Sequence, residues 1–197
     1  MNRNNLTMVF FFLATQISKK RDSHMARIVY PDDSNHEVAA LRAQIIAERG
    51  KLHNLYRLLL NSPPVAQGWL NFLTAIRQKT TIDPAIRELS ILRIAIINKA
   101  DYEFSSHVPF ALAAGLTQQQ VDAIAQWEGS TLFSEIQRAV MLYTDSMTRD
   151  VHVPDDVFSL VQPHFNDRGM TELTATIAAY NLVSRFLEAL HVDPEPI

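Results

Sequence analysis

The stretch IRELSILRIAII, residues 86–97, is apolar on nearly every side of the helix that it would form. Only Arg87, Glu88, Ser90 and Arg93 interrupt the apolar pattern. A helix that is apolar all round is usually buried at the centre of its domain. The stretch therefore predicts the central helix of the fold, and it places a carboxylate inside the core.

Glu88 needs a partner if this helix is buried, because an unpaired buried charge costs on the order of several kcal/mol. One interpretation is a structural ion pair with Arg87, Arg93 or another basic group. The other is a functional carboxylate, because buried acids with shifted pKa values occur often at active sites. The residues alone leave both interpretations open.

The helical pattern continues outward from this stretch, with apolar residues at three- and four-residue spacing from His36 onward. Asp83 can cap a helix that has Pro84 as its first residue, and Thr117 can cap a later one. No convincing pair of strands is present. We expect an all-α fold, a compact multi-helix domain. Its helices, about nine in number, are predicted at residues 36–49, 51–61, 63–78, 84–98, 101–114, 118–127, 133–149, 155–164 and 170–190.

Length and composition indicate one globular domain, since the chain has 197 residues, 47% of them hydrophobic. We expect residues 25–197 to form it and residues 1–24 to be a flexible tail or an upstream extension. The apolar run of that tail is shorter than the roughly 20 residues needed to cross a bilayer. A net charge of -3 gives no basic field, so neither nucleic acid nor a membrane is an expected partner.

The chain contains no cysteine. This absence excludes disulfides, thiolate metal sites and every mechanism in which a thiolate attacks a substrate. It fits the reducing cytoplasm, which is the compartment we expect.

Polar groups of chemical interest follow the central helix, in ADYEFSSHV, residues 100–108. Glu103 and His107 are four residues apart and share one face of a helix. A carboxylate beside an imidazole fixes its tautomer and shifts its pKa, as a general acid or base requires. Tyr102 and Ser106 add neighbouring hydroxyl groups. The pair can also be a surface contact worth about 0.3–0.5 kcal/mol, and without a second histidine at fixed spacing no metal is expected.

These residues resemble the core of the carboxymuconolactone decarboxylase and alkylhydroperoxidase D-like family. RELSILRIA, then ADYEFSSHVPFALAAGLT, then VDAI carry the resemblance, and the flanking helices extend it over roughly residues 50–192. In the thiol peroxidases of that family a glutamate lies nineteen residues ahead of a histidine, with a Cys-x-x-Cys pair between them. Glu88 and His107 have this spacing, whereas Ala100 and Glu103 occupy the cysteine positions. Alanine and glutamate cannot cycle through a disulfide, so thiol peroxidase activity is excluded.

The resemblance then implies the cysteine-free branch of the family, with an alkylhydroperoxidase D-like fold. That branch is typified by the decarboxylase that releases CO2 from a carboxylated muconolactone in aromatic catabolism. It implies a lyase without a cofactor that acts by proton transfer on a small carboxylic acid or lactone. A guanidinium such as that of Arg93 matches a substrate carboxylate by its chemistry alone. The candidate catalytic residues are His107, as the acid, and Glu103 and Glu88, either of which could orient it. The candidate substrate-binding residues are Arg93, Tyr102 and Ser106.

Two alternatives stay open. One is a non-catalytic helical module for ligand binding or assembly that kept the fold, because a fold does not assign a function. The other is a lactone isomerase or hydrolase, which the same acid and base could serve. An apolar cleft beside His107 favours an enzyme, whereas a filled core around a closed Glu–Arg pair favours the module. The resemblance also implies a homo-oligomer, a dimer, trimer or hexamer, to which Trp69, Phe72 and Trp127 could contribute apolar surface.

Overall fold

The structure is a computed structural model that describes residues 26–32 and 36–195. The predicted tail, residues 1–24, lies outside them, so that prediction and the single-domain prediction for residues 25–197 stay predictions. The described residues form nine α-helices and no strand, which confirms the all-α fold. The helices are α1 (Ala39–Arg49), α2 (Asn54–Leu59), α3 (Pro63–Gln78), α4 (Pro84–Asn98), α5 (Asp101–Ala113), α6 (Gln118–Ala123), α7 (Glu135–Arg149), α8 (Asp155–Val161) and α9 (Asp167–Leu190). Short 3-10 helices lie at His36–Val38, Ile124–Gly129 and Gln162–His164.

Helix α4 is the central helix, as its sequence predicts. It packs against α5, α7 and α9, and Leu89 and Ile94 on different sides of it are both fully buried. Its start is fixed by Asp83, whose carboxylate accepts hydrogen bonds from the backbone N–H groups of Ala85 and Ile86 at 2.8 and 3.2 Å. This cap satisfies two donors that the helix itself leaves unpaired.

A tight turn joins α4 to α5. Lys99 adopts a left-handed conformation with φ of 57°, which ends α4, and Ala100 directly precedes α5. The two helices then pack against each other along their lengths. This hairpin places residues of the middle of α4 against residues of the middle of α5, and thus brings Glu88 to His107 although nineteen residues separate them.

The predicted boundaries of most helices agree with the structure to within three residues. The prediction for residues 118–127 merges two elements, because α6 ends at Ala123 and a 3-10 helix follows with a kink at Gln126. Helix α9 begins three residues earlier than predicted, since the Asn166 side chain accepts a hydrogen bond from the N–H of Gly169 at 2.8 Å. No helix in residues 26–32 and 36–195 combines the length and apolar character that a membrane crossing requires.

Two of the three aromatic residues suggested for a subunit contact are core residues. Trp69 is 7% exposed and Trp127 is 5% exposed, so the prediction of surface placement is wrong for both. Each packs into the apolar core of the chain itself, where a large aromatic ring contributes most to burial. Phe72, at 43% exposure, does lie at the surface.

Candidate active site

A cavity of about 270 Å³ lies beside α5, and its other walls come from α1, α2, α3 and α9. Val183 and Leu187 of α9 line it together with Phe110 and form much of its apolar surface. The polar groups His107 and Glu103 line the same space. An apolar cavity with a few convergent polar groups is the usual form of a site for a small molecule, and this volume is slightly below the usual range of about 300–1,000 Å³.

His107 and Glu88 form a buried pair at the side of this cavity. Nδ1 of His107 lies 2.7 Å from Oε2 of Glu88, and the two residues are 6% and 2% exposed. The imidazole is also held by Tyr180, whose ring meets it edge-on with 5.1 Å between the centroids. Arg87 donates to the other oxygen of Glu88 at 3.3 Å. Glu88 therefore takes part both in an ion pair and in the candidate site.

The protonation states of this pair follow from burial and from the hydrogen bond. Burial lowers the pKa of His107 below its ordinary value, and the hydrogen bond to Glu88 opposes that effect only in part. Burial alone would raise the pKa of Glu88, but the hydrogen bond to His107 and the charge of Arg87 lower it. An ionised Glu88 accepts the proton on Nδ1, which leaves the lone pair of His107 on Nε2. Nε2 has no hydrogen-bond partner among the described residues, and His107 is one of the residues that line the cavity.

Glu103 is the second buried carboxyl group of the site. It is 2% exposed, and burial raises its pKa to about 8. Oε2 is in hydrogen-bond contact with the hydroxyl of Ser184, which also contacts the carbonyl of Tyr180 at 3.0 Å. A hydroxyl has one proton, so both contacts are satisfied only when Glu103 is protonated. Oε1 is buried and has no partner within the described part of the chain.

Of the two carboxylates expected to orient His107, Glu103 or Glu88, the structure pairs the imidazole with Glu88 and not with Glu103. The i and i+4 positions do place both side chains at one cavity, but the imidazole bonds to Glu88 on the neighbouring helix. Glu103 bonds instead to Ser184 of α9. The physical reason is packing, because the hairpin of α4 and α5 brings Glu88 to Nδ1 of His107, while α9 brings the Ser184 hydroxyl to Glu103.

Two arginines line the cavity, and they differ in how their donors are used. Arg49 of α1 donates to the hydroxyl of Tyr56 at 3.0 Å and to Oγ1 of Thr74 at 2.7 Å. Arg77 of α3 makes no hydrogen bond or ion pair with any residue that the structure describes. Its guanidinium carbon lies 4.9 Å from the centre of the Phe110 ring. Arg49 thus holds three helices together, whereas the donors of Arg77 are unused.

The predicted hydroxyl groups also reach the cavity. Tyr102 and Ser106 both line it. The phenol of Tyr102 donates to Oε1 of Glu195 at 2.5 Å, and burial together with that carboxylate raises the pKa of Tyr102. Ser106 is half-buried, and its hydroxyl has no hydrogen-bond partner within the described part of the chain. In residues 26–32 and 36–195 no three His, Asp or Glu side chains form a group that could hold a metal ion.

Known proteins share the sequence of this region. The model of the carboxymuconolactone decarboxylase family matches residues 63–146, a segment that contains Arg77, Glu88, Glu103 and His107. The uncharacterized protein YnjA of Escherichia coli is 30% identical over 131 residues, which is 65% of this chain and 68% of that protein. The chain belongs to the carboxymuconolactone decarboxylase family. It is a member without cysteine, as the resemblance of its core implies.

This member of the carboxymuconolactone decarboxylase family also resembles several solved structures in its fold. The alkylhydroperoxidase AhpD core, an uncharacterized peroxidase-related protein from Ralstonia eutropha, is similar with a TM-score of 0.74. Its identity is 16%, and the match covers 87% of this chain and 93% of that one. A variant of the debrominase Bmp8 in complex with 2,3,4-tribromopyrrole is similar with a TM-score of 0.71 and 15% identity, over 88% and 92% of the two chains. At these identities the likeness concerns the fold alone.

The prediction for Arg93 is wrong in this family member. Nε and Nη2 of Arg93 donate to the two oxygens of Asp145 at 2.5 and 2.6 Å, and Nη1 donates to the carbonyl of Ile124 at 3.1 Å. Arg93 is therefore neither the counter-ion of Glu88 nor a lining residue of the cavity beside His107. It lies on the face of α4 that packs against α7, where a buried guanidinium needs a carboxylate of its own.

Sequence reasoning missed Arg77, which the family segment includes. Arg77 lies in the last turn of α3, where a basic residue is ordinary because it interacts favourably with the helix dipole. It lies on the helix before the central stretch, and the packing of α3 against α1, α2 and α9 brings it to the cavity and to the Phe110 ring. The one available signal was a cation within the same segment as Glu88 and His107.

Proposed function

We propose that this chain is a lyase without a cofactor, which decarboxylates a small lactone acid by proton transfer. One observation carries the proposal: the free nitrogen of His107, supported by Glu88, and the protonated carboxyl of Glu103 line the same small cavity. Two titratable groups whose surroundings drive them to opposite protonation states are the usual equipment for acid and base catalysis. Membership of the carboxymuconolactone decarboxylase family supports the choice of reaction.

The proposed reaction needs one group that accepts an electron pair and another that donates a proton. When CO2 leaves, the carbon–carbon bond breaks and its electrons move into the lactone carbonyl, which gives an enolate. The enolate carbon then takes a proton from Glu103, the neutral acid of the cavity. His107 can relay a solvent proton from Nε2 to restore Glu103. Each turnover consumes one proton and releases one CO2.

This assignment changes the role that the sequence predicts for His107. The sequence favours His107 as the acid, but its lowered pKa makes it a poor proton store at neutral pH. The raised pKa of Glu103, about 8, makes that residue the better donor. His107 then accepts a proton from solvent at Nε2 and passes it to Glu103, with its tautomer fixed by Glu88.

The test is an assay of CO2 release with a panel of small lactone acids. We expect the unchanged chain to turn over at least one of them. His107→Gln, Glu88→Gln and Glu103→Gln should each lower kcat/KM by roughly 10²–10⁴, the range for a lost general acid or base. His164→Gln, at an exposed position, is the matched control and should leave kcat/KM unchanged. If the unchanged chain is active and neither His107→Gln nor Glu88→Gln lowers kcat/KM by about tenfold, the assignment is wrong.

A lactone isomerase is the second candidate, since a base and an acid in one cavity can also move a proton between two carbons of one substrate. His107 would take a proton beside the carbonyl, and Glu103 would deliver one elsewhere. Loss of the substrate's absorbance without CO2 release would identify this reaction. Binding of the same acids without any turnover would instead identify a ligand-binding module. The homo-oligomer implied by the family stays a prediction, and light scattering measures it.

A further inference from the structure

We propose that Arg77 is the anion-binding group of the cavity and selects molecules that carry a carboxylate. This inference rests on the proposed function in that it names the substrate class of the same cavity. It assigns a specificity-determining role to a residue that no sequence motif singled out.

No described residue accepts a hydrogen bond from Arg77. A guanidinium has five N–H donors, and a half-buried one that leaves them without acceptors loses hydration without compensation. Within the described residues, its recorded contact is the face of the Phe110 ring, with Cζ 4.9 Å from the centroid. The ring holds the guanidinium in place but accepts no conventional hydrogen bond. A planar carboxylate would satisfy two of the donors at once.

The acidic side chains that line the cavity do not neutralise Arg77. Glu48 accepts hydrogen bonds from Gln44 at 2.9 Å and from Thr74 at 2.6 Å, and it lies 3.9 Å from Arg49. Glu103 is neutral at neutral pH. The charge of Arg77 acts on Glu88, but that carboxylate is already paired with His107 and Arg87. Among the described residues no acidic side chain that lines the cavity contacts Arg77, so a bound anion would give it a direct partner.

An apolar surface adjoins this cation. Phe110, Val183 and Leu187 line the cavity near Arg77 and can cover the body of a small organic acid. A compact molecule with one carboxylate and an apolar ring matches this combination of one cation and an apolar wall.

The charge of Arg77 also acts on His107. Burial is the main cause of the lowered pKa of His107, and Arg77 lowers it further. The other groups that face His107 are Glu88 and Arg87 from α4, Glu103 from its own helix, and the buried Tyr180 from α9. An anion bound to Arg77 cancels part of the opposing charge and thereby raises the pKa of His107. Binding of the acid would thus prepare His107 to hold the proton that it relays.

The experiment compares furan-2-carboxylate with furan-2-carboxamide, two probes of nearly equal shape that differ in charge. Calorimetric titration of the full chain should show that the carboxylate binds at least about tenfold more tightly than the amide. Arg77→Gln should weaken binding of the carboxylate roughly 10- to 100-fold and leave binding of the amide unchanged, while Arg77→Lys should retain part of it. Arg185→Gln, at an exposed position, is the matched control and should bind both probes as the unchanged chain does.

An NMR titration of His107 gives an independent readout. Saturating furan-2-carboxylate should raise the pKa of His107 in the unchanged chain, and Arg77→Gln should raise it without any probe. Equal binding of the two probes, no saturable binding of the carboxylate, or equal carboxylate binding by Arg77→Gln each overturns the proposal. The comparison of probes in the unchanged chain needs no variant, so poor folding of Arg77→Gln would not prevent the test. Charge-selective binding without turnover would support the anion site and contradict the lyase, whereas turnover with equal binding of both probes would do the reverse.

Discussion

Glu103 is the residue whose surroundings are most unusual for its type. A carboxyl group usually ionises near pH 4.5, but burial raises the pKa of Glu103 to about 8. The unfolded chain releases this proton at the ordinary pKa, whereas the folded chain keeps it. Stability from this group is therefore fully present below about pH 4.5 and falls as the pH rises toward about 8.

We predict that Glu103→Gln changes this pH dependence. Glutamine does not ionise, so the variant escapes the penalty that the wild-type chain acquires between about pH 4.5 and 8. The free energy of unfolding of the variant minus that of the wild type should rise with pH, by at most about 1.4 kcal/mol per unit. Urea unfolding at about pH 5 and about pH 8 measures it. A constant difference between these two values would contradict the raised pKa, and Glu128→Gln, at an exposed position, serves as the control.

The sequence predicts part of the candidate site at this scale. Glu88 and His107 could be predicted as partners because a tight turn between two helices aligns their middles, and the family spacing agrees. The partner of Glu103 could not, because Ser184 comes from α9, eighty-one residues away along the chain. The role of Arg77 could not be predicted for the same reason. The spacing of apolar residues indicates which side chains share a face of one helix, but not which helices pack together across the core.

At the scale of elements, α4 is joined to α7 by the pair of Arg93 and Asp145. The pair is bidentate and buried, and Trp127 also donates to Asp145 at 3.4 Å. Removing two charges from water costs free energy, and the attraction between the two charges offsets that cost. Removal of one partner leaves the other charge buried without compensation.

We predict that Arg93→Met and Asp145→Ala each lower the free energy of unfolding by about 3–5 kcal/mol. The double variant should lose clearly less than the sum, because it leaves no uncompensated charge. Urea unfolding at neutral pH measures all three, and Arg185→Met, at an exposed position, is the control. Strictly additive losses would show that the two side chains are not energetically coupled. Because the pair is remote from the cavity, a folded variant should bind furan-2-carboxylate as the wild type does.

Helix boundaries with a local chemical cause were predictable. Asp83 with Pro84 starts α4 where the sequence places it, and Thr117 caps α6 with Gln120 in a reciprocal pair of hydrogen bonds. The end of α6 was not predictable, because the apolar pattern continues through Trp127 while the backbone turns at Gln126. There the burial of Trp127 and the hydrogen bond from Arg93 to the carbonyl of Ile124 decide the path, and both depend on tertiary packing.

At the scale of the whole molecule, the C-terminal segment ties distant parts of the chain together. Leu190 accepts a backbone hydrogen bond from Arg27 at 2.8 Å. Glu195 accepts from the backbone N–H of Asn54 at 2.7 Å and from the Tyr102 hydroxyl at 2.5 Å, and it lies 3.3 Å from Lys51. The segment thus connects the start of α2, the side of α5 and the end of α9.

Glu195 is the residue of this segment on which the connection most depends. Burial alone would raise its pKa, but the hydrogen bonds from Tyr102, Asn54 and Lys51 together lower it. The group therefore stabilises the fold above about pH 4.5, and that contribution is lost as the pH falls through the lowered pKa. Glutamine at this position keeps the shape but not the charge.

We predict that Glu195→Gln lowers the Tm at neutral pH by at least about 2 °C and that the difference from the wild type shrinks as the medium becomes acidic. The reason is that a protonated Glu195 resembles glutamine, so the two chains become equivalent below the lowered pKa. Calorimetric scans from neutral to acidic pH measure the difference, with Glu128→Gln as the control. A difference that stays constant, or grows, in acid would mean that the carboxylate charge does not hold the segment. Because Tyr102 also lines the cavity, replacing its charged acceptor by an amide oxygen should weaken that hydrogen bond and alter the affinity for furan-2-carboxylate, which links Glu195 to the site.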